Sequence, residues 1–330
     1  MEPNNEQHQP DQASGSPSLI KDVLRIVFEK LPVQHRLPLG LVSKSVRELD
    51  LSVGKRQFDE IGIEFCSRNS GKRDYINFLY ASDKQMKYDL PNADCLDESS
   101  AYLEEFFKNA EIGWLDLAVE RKCDGNVART LISILGTAKI KKFAIEFGDD
   151  CPDCSEFLLE LIQFIRRQKD VYEVRLAWNK RRQTNVCAVR EALQQIPKAF
   201  RVTIVDQDMS RRLVGPSRFL LDGATLAHLI MIASVAYFEP ICADAAILLE
   251  AFEVMCRSNI SGKTAYQKVT GVTYTKLRAL AFEKGYTVKY DPECVLVRDA
   301  SLKNELFADF NKGPPFDIAI RIGINLVNQP

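Results

Sequence analysis

The sequence predicts an α/β chain in which a short pair of amphipathic helices precedes an array of alternating strands and helices. Three observations predict it. Apolar residues between Val23 and Leu49 recur at helical spacing. Four later segments, WLDLAV, KKFAIEF, YEVRLAW and AFRVTIV, alternate apolar and other residues as half-buried strands do. The stretches between them, NVARTLISILG, SEFLLELIQFIRRQ and CAVREALQQIP, carry the helical period instead.

The opening residues, MEPNNEQHQPDQASGSPS, are rich in Asn, Gln, Pro and Ser and have no basic stretch followed by an apolar run. They are expected to be a disordered tail, residues 1–18, rather than a signal peptide. From there Val23, Leu24, Val27, Phe28 and Leu31 form one stripe on a helix that Pro32 stops. A second set, Leu37, Leu41, Val42, Val46 and Leu49, predicts a second helix, with Lys44, Arg47 and Glu48 opposite and Pro38 in its first turn. Two helices of about ten residues cannot bury so wide a stripe between themselves, because isolated short helices are marginal in water. Something else must cover it.

Read letter by letter, LIKDVLRIVFEKLPVQHRLPLGLVSKSVREL, from Leu19 to Leu49, resembles without a gap the F-box motif, the helical module by which substrate receptors dock on the Skp-type adaptor of cullin-RING ubiquitin ligases. The family's opening leucine falls at Leu19, its paired aliphatics at Val23 and Leu24, and its Ile-Phe pair at Val27 and Phe28. The Arg-Leu of its second helix falls at Arg36 and Leu37, and its Leu-Val-Ser-Lys run at Leu41 to Lys44. Ile20 stands where the family usually has proline, and Val46 where it usually has tryptophan. Both are apolar, so the implied docking surface keeps its character with less buried area. The resemblance implies that Leu19, Ile20, Val23, Leu24, Val27, Phe28, Leu31, Leu37, Leu41, Val42 and Val46 bind the adaptor and, through it, a cullin-RING core.

Downstream, writing each strand as LxxLxL with any apolar residue at L gives starts at Ile112, Ile140, Val171 and Ala199, separated by 28, 31 and 28 residues. That period resembles leucine-rich-repeat arrays, whose units run roughly 20–29 residues. Looser matches are AHLIMIASV from Ala227, FDEIGIEF near Phe58 and LRALAF from Leu277. VYEVRLAWN has the family's asparagine at Asn179, whereas Glu120, Gly148 and Gln207 occupy that position in the other units. The expected organisation is thus an F-box over residues 19–50, a connecting or first-repeat region over 51–111, strand–helix repeats over 112–240, and C-terminal repeats and capping strands over 241–330. In the last region GYTVKYDPECVLVRDA and FDIAIRIGINLV read as strands, with a turn at Pro292. The alternative architecture is a non-repetitive, doubly wound α/β domain.

Composition fits a globular chain, with 46% hydrophobic and 27% charged residues and a formal net charge of -1. Nine cysteines, an odd number without regular spacing, point to reduced thiols and a cytoplasmic or nuclear location. The most apolar window, ATLAHLIMIASVAYF, is short for a bilayer span and contains His228, which argues against a membrane. Charge is uneven, because Ile165 to Arg218 holds 13 Lys/Arg against 5 Asp/Glu. Arg175 and Arg201 sit between inward strand positions and are expected on the concave face. Arg181, Arg182, Arg211 and Arg212 follow strands at recurring edges. These six are the candidate substrate-binding residues, suited to an acidic or phosphorylated protein segment. Few aromatics lie among them, so no stacking platform speaks for nucleic acid.

Catalytic readings are weak. Cys151-Pro152-Asp153-Cys154 falls between a strand and a helix, yet no second CxxC completes a zinc site, and the thiols read as structural. Ser258 to Thr264 ends like a phosphate loop, but Arg257 occupies the place of its first glycine. The histidines, His8, His35 and His228, are scattered, with His228 expected as a satisfied core residue, and Asp149-Asp150 and Glu104-Glu105 read as solvated pairs. The chain is therefore expected to need no cofactor or metal and to act as a non-catalytic substrate-receptor subunit. The competing reading is a repeat-type scaffold whose N-terminal hairpin merely caps the array.

Overall fold

The computed structural model describes residues 17–31, 36, 39, 45–46, 48–49, 56–66, 75–79, 85–89, 97–148, 151, 153–179, 185–206, 219–239, 241–258, 262–291, 293–301, 303–311 and 314–323. The chain forms two compact units, residues 1–56 and 57–330.

In the first unit, helix α1 runs Pro17–Lys30 and ends two residues before Pro32, the proline expected to stop it. Helical backbone recurs at Ser45–Val46 and Glu48–Leu49. Phe28 and Leu49 are buried against one another, with Leu31 and Val46 packed around them. The two halves of the motif therefore share a small core of their own.

The second unit begins with strands β1 (Gln57–Phe65), β2 (Tyr75–Leu79) and β3 (Gln85–Asp89). Helices and strands then alternate: α2 (Asp97–Phe107), β4 (Glu111–Val119), α3 (Gly125–Leu135), β5 (Lys139–Phe147), α4 (Ser155–Arg167), β6 (Glu173–Trp178), α5 (Val186–Leu193), β7 (Ala199–Asp206), α6 (Gly223–Ile232) and β8 (Ala233–Glu239). Strands β1, β4, β5, β6, β7 and β8 lie side by side in chain order and all pair in parallel, while β2 and β3 extend the β1 edge antiparallel. The sheet never reverses its winding, as a doubly wound sheet would, and the helices that connect its strands follow one another along one face. Each of α2 to α6 packs on the next.

The register repeats the expected intervals. Ile112 pairs with Ile140, Phe143 with Val174, and Val174 with Val202, steps of 28, 31 and 28 residues. FDEIGIEF also joins the sheet, with Phe58 opposite Ile112. The next step is longer, because Val202 pairs with Ala236. The strand expected from Ala227 is instead α6, since the Asp222 carboxylate accepts the Thr225 N–H and caps a helix there. LRALAF is likewise helical, within the helix Tyr274–Glu283. At the ladder positions the same backbone bond recurs whether or not asparagine is present: the N–H groups of Glu120, Gly148 and Asn179 donate to the Phe65, Val119 and Phe147 carbonyls at 2.9, 2.9 and 3.0 Å.

Leu115, Leu117, Phe143, Ile145, Val174, Leu176, Val202 and Ile204 point to the helices and are buried. Phe200, expected inward with Val202 and Ile204, is 44% exposed. Its unit follows LxxLxL, so Ala199, Val202 and Ile204 fill the core and Phe200 turns out.

The remainder comprises β9 (Ile241–Cys242), α7 (Ala245–Arg257), β10 (Lys263–Thr270), α8 (Tyr274–Glu283), β11 (Thr287–Tyr290), β12 (Cys294–Arg298), β13 (Glu305–Asp309) and β14 (Phe316–Ile322). Its strands form a second sheet in the order β11-β12-β13-β14-β10-β9, antiparallel except for the β9–β10 pair. Glu305 is buried there between Arg298 at 3.3 Å and Arg321 at 2.6 Å, so both of its oxygens are paired. No helix among the described residues is long and apolar enough to cross a membrane.

Candidate functional site

Two surfaces carry the candidate residues. The first is α1. At about 100° per residue, Phe28 lies at one edge of the apolar stripe and turns into the hairpin core, being 4% exposed. Val23, Leu24, Ile26 and Val27 continue the apolar surface outward at 54%, 42%, 52% and 46% exposure. Leu31 and Val46 are half-buried against the hairpin core. The expected adaptor residues thus divide into an outward aliphatic group and an internal one. Leu19 and Ile20 belong to α1, but their side chains are not described, and Leu37, Leu41 and Val42 lie outside the described residues. Ile26 was not expected from the stripe and belongs to the outward group.

The second surface is the helix-free face of the parallel sheet, set row by row by the register. One row runs Glu60, Trp114, Lys142, Glu173, Arg201, and the next Gly62, Asp116, Ala144, Arg175, Thr203. A third runs Glu64, Ala118, Glu146, Ala177, Val205. Arg175 and Arg201 are exposed on this face, on neighbouring strands. Arg181, Arg182, Arg211 and Arg212 lie outside the described residues.

The two described arginines do not make a surface of one sign. Arg201 Nη1 lies 3.9 Å from the buried Glu173 carboxylate. Arg175 is close enough to Asp116 to lower that carboxyl's pKa, although burial first and the Glu146 charge second raise it further than Arg175 lowers it. Burial and the Asp116 charge also push Glu60 up. Asn179 Nδ2 donates to Glu146 at 3.1 Å. In these three rows carboxylates outnumber Lys142 over β1, β4 and β5, and the two arginines outnumber the buried Glu173 over β6 and β7, which gives the face an acidic pole and a cationic pole.

An aromatic ladder crosses the same strands. Lys142 Nζ lies 5.0 Å from the Trp114 ring centre and 5.5 Å from that of Tyr172. Tyr172 in turn stacks on Phe200, centroids 4.8 Å apart, and both are 44% exposed. Cation–π contact holds the lysine while leaving ring surface in water. Sequence reasoning missed this ladder, though its signal was available: Tyr172 and Phe200 both occupy the second position of an LxxLxL unit.

The raised Asp116 pKa fixes the sign of a pH effect. The folded chain holds this proton more tightly than the unfolded chain does, so stability rises as pH falls through the range above an ordinary aspartate and is lost as pH climbs through it. Asp116→Asn is expected to stabilise the protein at pH 7 by about 0.5 kcal/mol, solvent screening keeping the effect small. It should also remove that gain on acidification, as urea unfolding at pH 7 and pH 5 would register.

Cys151 and Cys154 are buried; the hydrogen bond between them, together with burial, drives the Cys151 thiol up, and the same bond, against burial, holds Cys154 below the usual thiol value. Asp153 between them accepts the Ser155 N–H at 3.1 Å and the Asn185 N–H at 3.4 Å, tying the loop to the starts of α4 and α5. His228, expected as a satisfied core residue, is satisfied only in part: burial pushes its pKa down despite a backbone bond at Ile196, and its Nε2 has no hydrogen-bond partner among the described residues. Glu105 pairs with Lys108 at 3.1 Å on the surface of α2, and Asp149-Asp150 lie outside the described residues. Among the described residues no group of three or more His, Cys, Asp or Glu is arranged to hold a metal ion.

Comparison with protein-family models, with curated proteins and with solved structures finds no match to this chain.

Proposed function

We propose that this chain is an F-box substrate-recognition subunit of a cullin-RING ubiquitin ligase, with α1 and the hairpin docking a Skp-type adaptor and the strand–helix array holding a protein substrate. The observation that carries this reading is the outward aliphatic group Val23, Leu24, Ile26 and Val27, on a gapless F-box-like sequence. Water-exposed aliphatics clustered on one helix mark a protein-docking surface, and a partner's helices would complete it. The array, read as a divergent leucine-rich-repeat-like domain, offers one face free of helices. Its contribution is proximity: it raises the effective concentration of a substrate lysine near the loaded ubiquitin carrier without a catalytic group of its own. Such a subunit works in the cytoplasm or nucleus.

Immunoprecipitation of the tagged full chain from cells tests this. Adaptor and cullin are expected in stoichiometric yield, and their absence from the precipitate of a folded chain would refute the reading. A scaffold without ligase association is the second reading, favoured by the Phe28–Leu49 core, which gives the hairpin a stabilising contact of its own.

A further inference from the structure

We infer that the helix-free sheet face takes an extended segment of a protein in which a lysine or arginine stands four residues from an aspartate or glutamate. The inference rests on the array being the part that holds a protein partner.

Register fixes the charge order. The carboxylates Glu60, Glu64, Asp116 and Glu146 outnumber Lys142 on β1, β4 and β5, and Arg175 and Arg201 outnumber the buried Glu173 on β6 and β7. The acidic pole keeps an excess of carboxylates, since its one lysine in these rows, Lys142, lies over the Trp114 and Tyr172 rings, and burial first and Glu146 second raise the Asp116 pKa further than Arg175 lowers it. A partner's cation placed there would relieve the repulsion. On the other side, Arg201 has one long contact to Glu173, with its side chain 48% exposed, so guanidinium N–H groups are left for a carboxylate. Small side chains, Ala144 on β5, Ala177 on β6 and Thr203 on β7, lie among the charged ones and keep the floor low. A partner of one sign gains at one pole and is repelled at the other.

Spacing sets the interval. Neighbouring strands lie about 4.8 Å apart, so the centre of the acidic pole, on β4, is about 12 Å from that of the cationic pole, between β6 and β7. An extended chain advances about 3.3 Å per residue and presents every second side chain to one face, so positions i and i+4 span that distance. Tyr172 and Phe200, beside Arg201 at the start of β6 and β7, would receive an apolar side chain next to the acidic one.

The test is selection from a random ten-residue peptide library displayed on phage, against the full chain. Peptides with a cation and a carboxylate four positions apart are expected to be enriched about tenfold over peptides of a single sign. Arg201→Glu should shift the selected set toward uniformly basic peptides, and Glu146→Lys toward uniformly acidic ones. Both positions are exposed, and because Arg201 neighbours the buried Glu173 carboxylate, Arg201→Gln is the companion variant, expected to lose the preference for a carboxylate without adding a like charge. Enrichment of acidic peptides alone, selected sets that neither exchange alters, or no enrichment would each overturn the inference. Running the selection on a chain carrying Leu24→Asp and Val27→Asp separates the two readings: the same peptides are expected whether or not the adaptor binds.

Discussion

Phe157→Ala is expected to destabilise the second unit by about 4 kcal/mol, the usual cost of truncating a fully buried phenylalanine. Phe157 begins the buried stripe of α4, which continues through Leu158, Leu161, Ile162, Phe164 and Ile165. Its ring meets Phe65 of β1 edge-on, with centroids 5.7 Å apart, so one side chain joins a helix from the middle of the array to the strand that starts it. Neighbouring units cannot close around the cavity without shifting both. Urea unfolding followed by circular dichroism would register the loss. Phe200→Ala supplies the comparison: that ring is 44% exposed and stacks only on the surface, so its removal should cost less than about 1 kcal/mol. Equal effects at the two positions would contradict the assignment of faces.

The second large effect concerns association. Leu24→Asp together with Val27→Asp is expected to weaken adaptor binding by about a hundredfold or more, since two carboxylates would be desolvated in an apolar contact. Both side chains are exposed at 42% and 46%, so the urea midpoint should not move. Phe28→Asp is a different experiment, because it places a charge in the Phe28–Leu49 core and should melt the hairpin. An unchanged affinity in the double variant would remove α1 from the docking surface.

The steps of 28, 31 and 28 residues were legible because parallel strands in chain order repeat side-chain burial at the interval of the repeat itself. The same template failed at Ala227 and at Leu277 for a physical reason. LxxLxL puts apolar residues at i, i+3 and i+5, a spacing that a helix also shows, and GATLAHLIMI is apolar on most of its circumference. The caps distinguish them: Asp222 and Thr273 each accept an N–H three residues on. Phe200 misled through simple alternation with Val202, where the unit turns its chain between the first and second core positions. The antiparallel β2 and β3 were not foreseen, because a short edge hairpin carries little periodicity.

Of the candidate site, the exposure of Arg175 and Arg201 could be read from alternation along single strands. Their carboxylate neighbours could not. Asp116, Ala144 and Arg175 are far apart in sequence and become neighbours only through the register of β4, β5 and β6. The expected basic surface counted arginines within one segment and had no means of counting the acids that other units bring beside them. On α1 the stripe was legible, but its division into buried Phe28 and exposed Val23 and Val27 depended on where the second half of the hairpin packs.

Co-expression of the full chain with a Skp-type adaptor, followed by light scattering of the purified product, tests the central claim most directly. A one-to-one complex that the Leu24→Asp, Val27→Asp variant fails to form is the predicted result. A folded, monomeric chain that elutes without adaptor would contradict it.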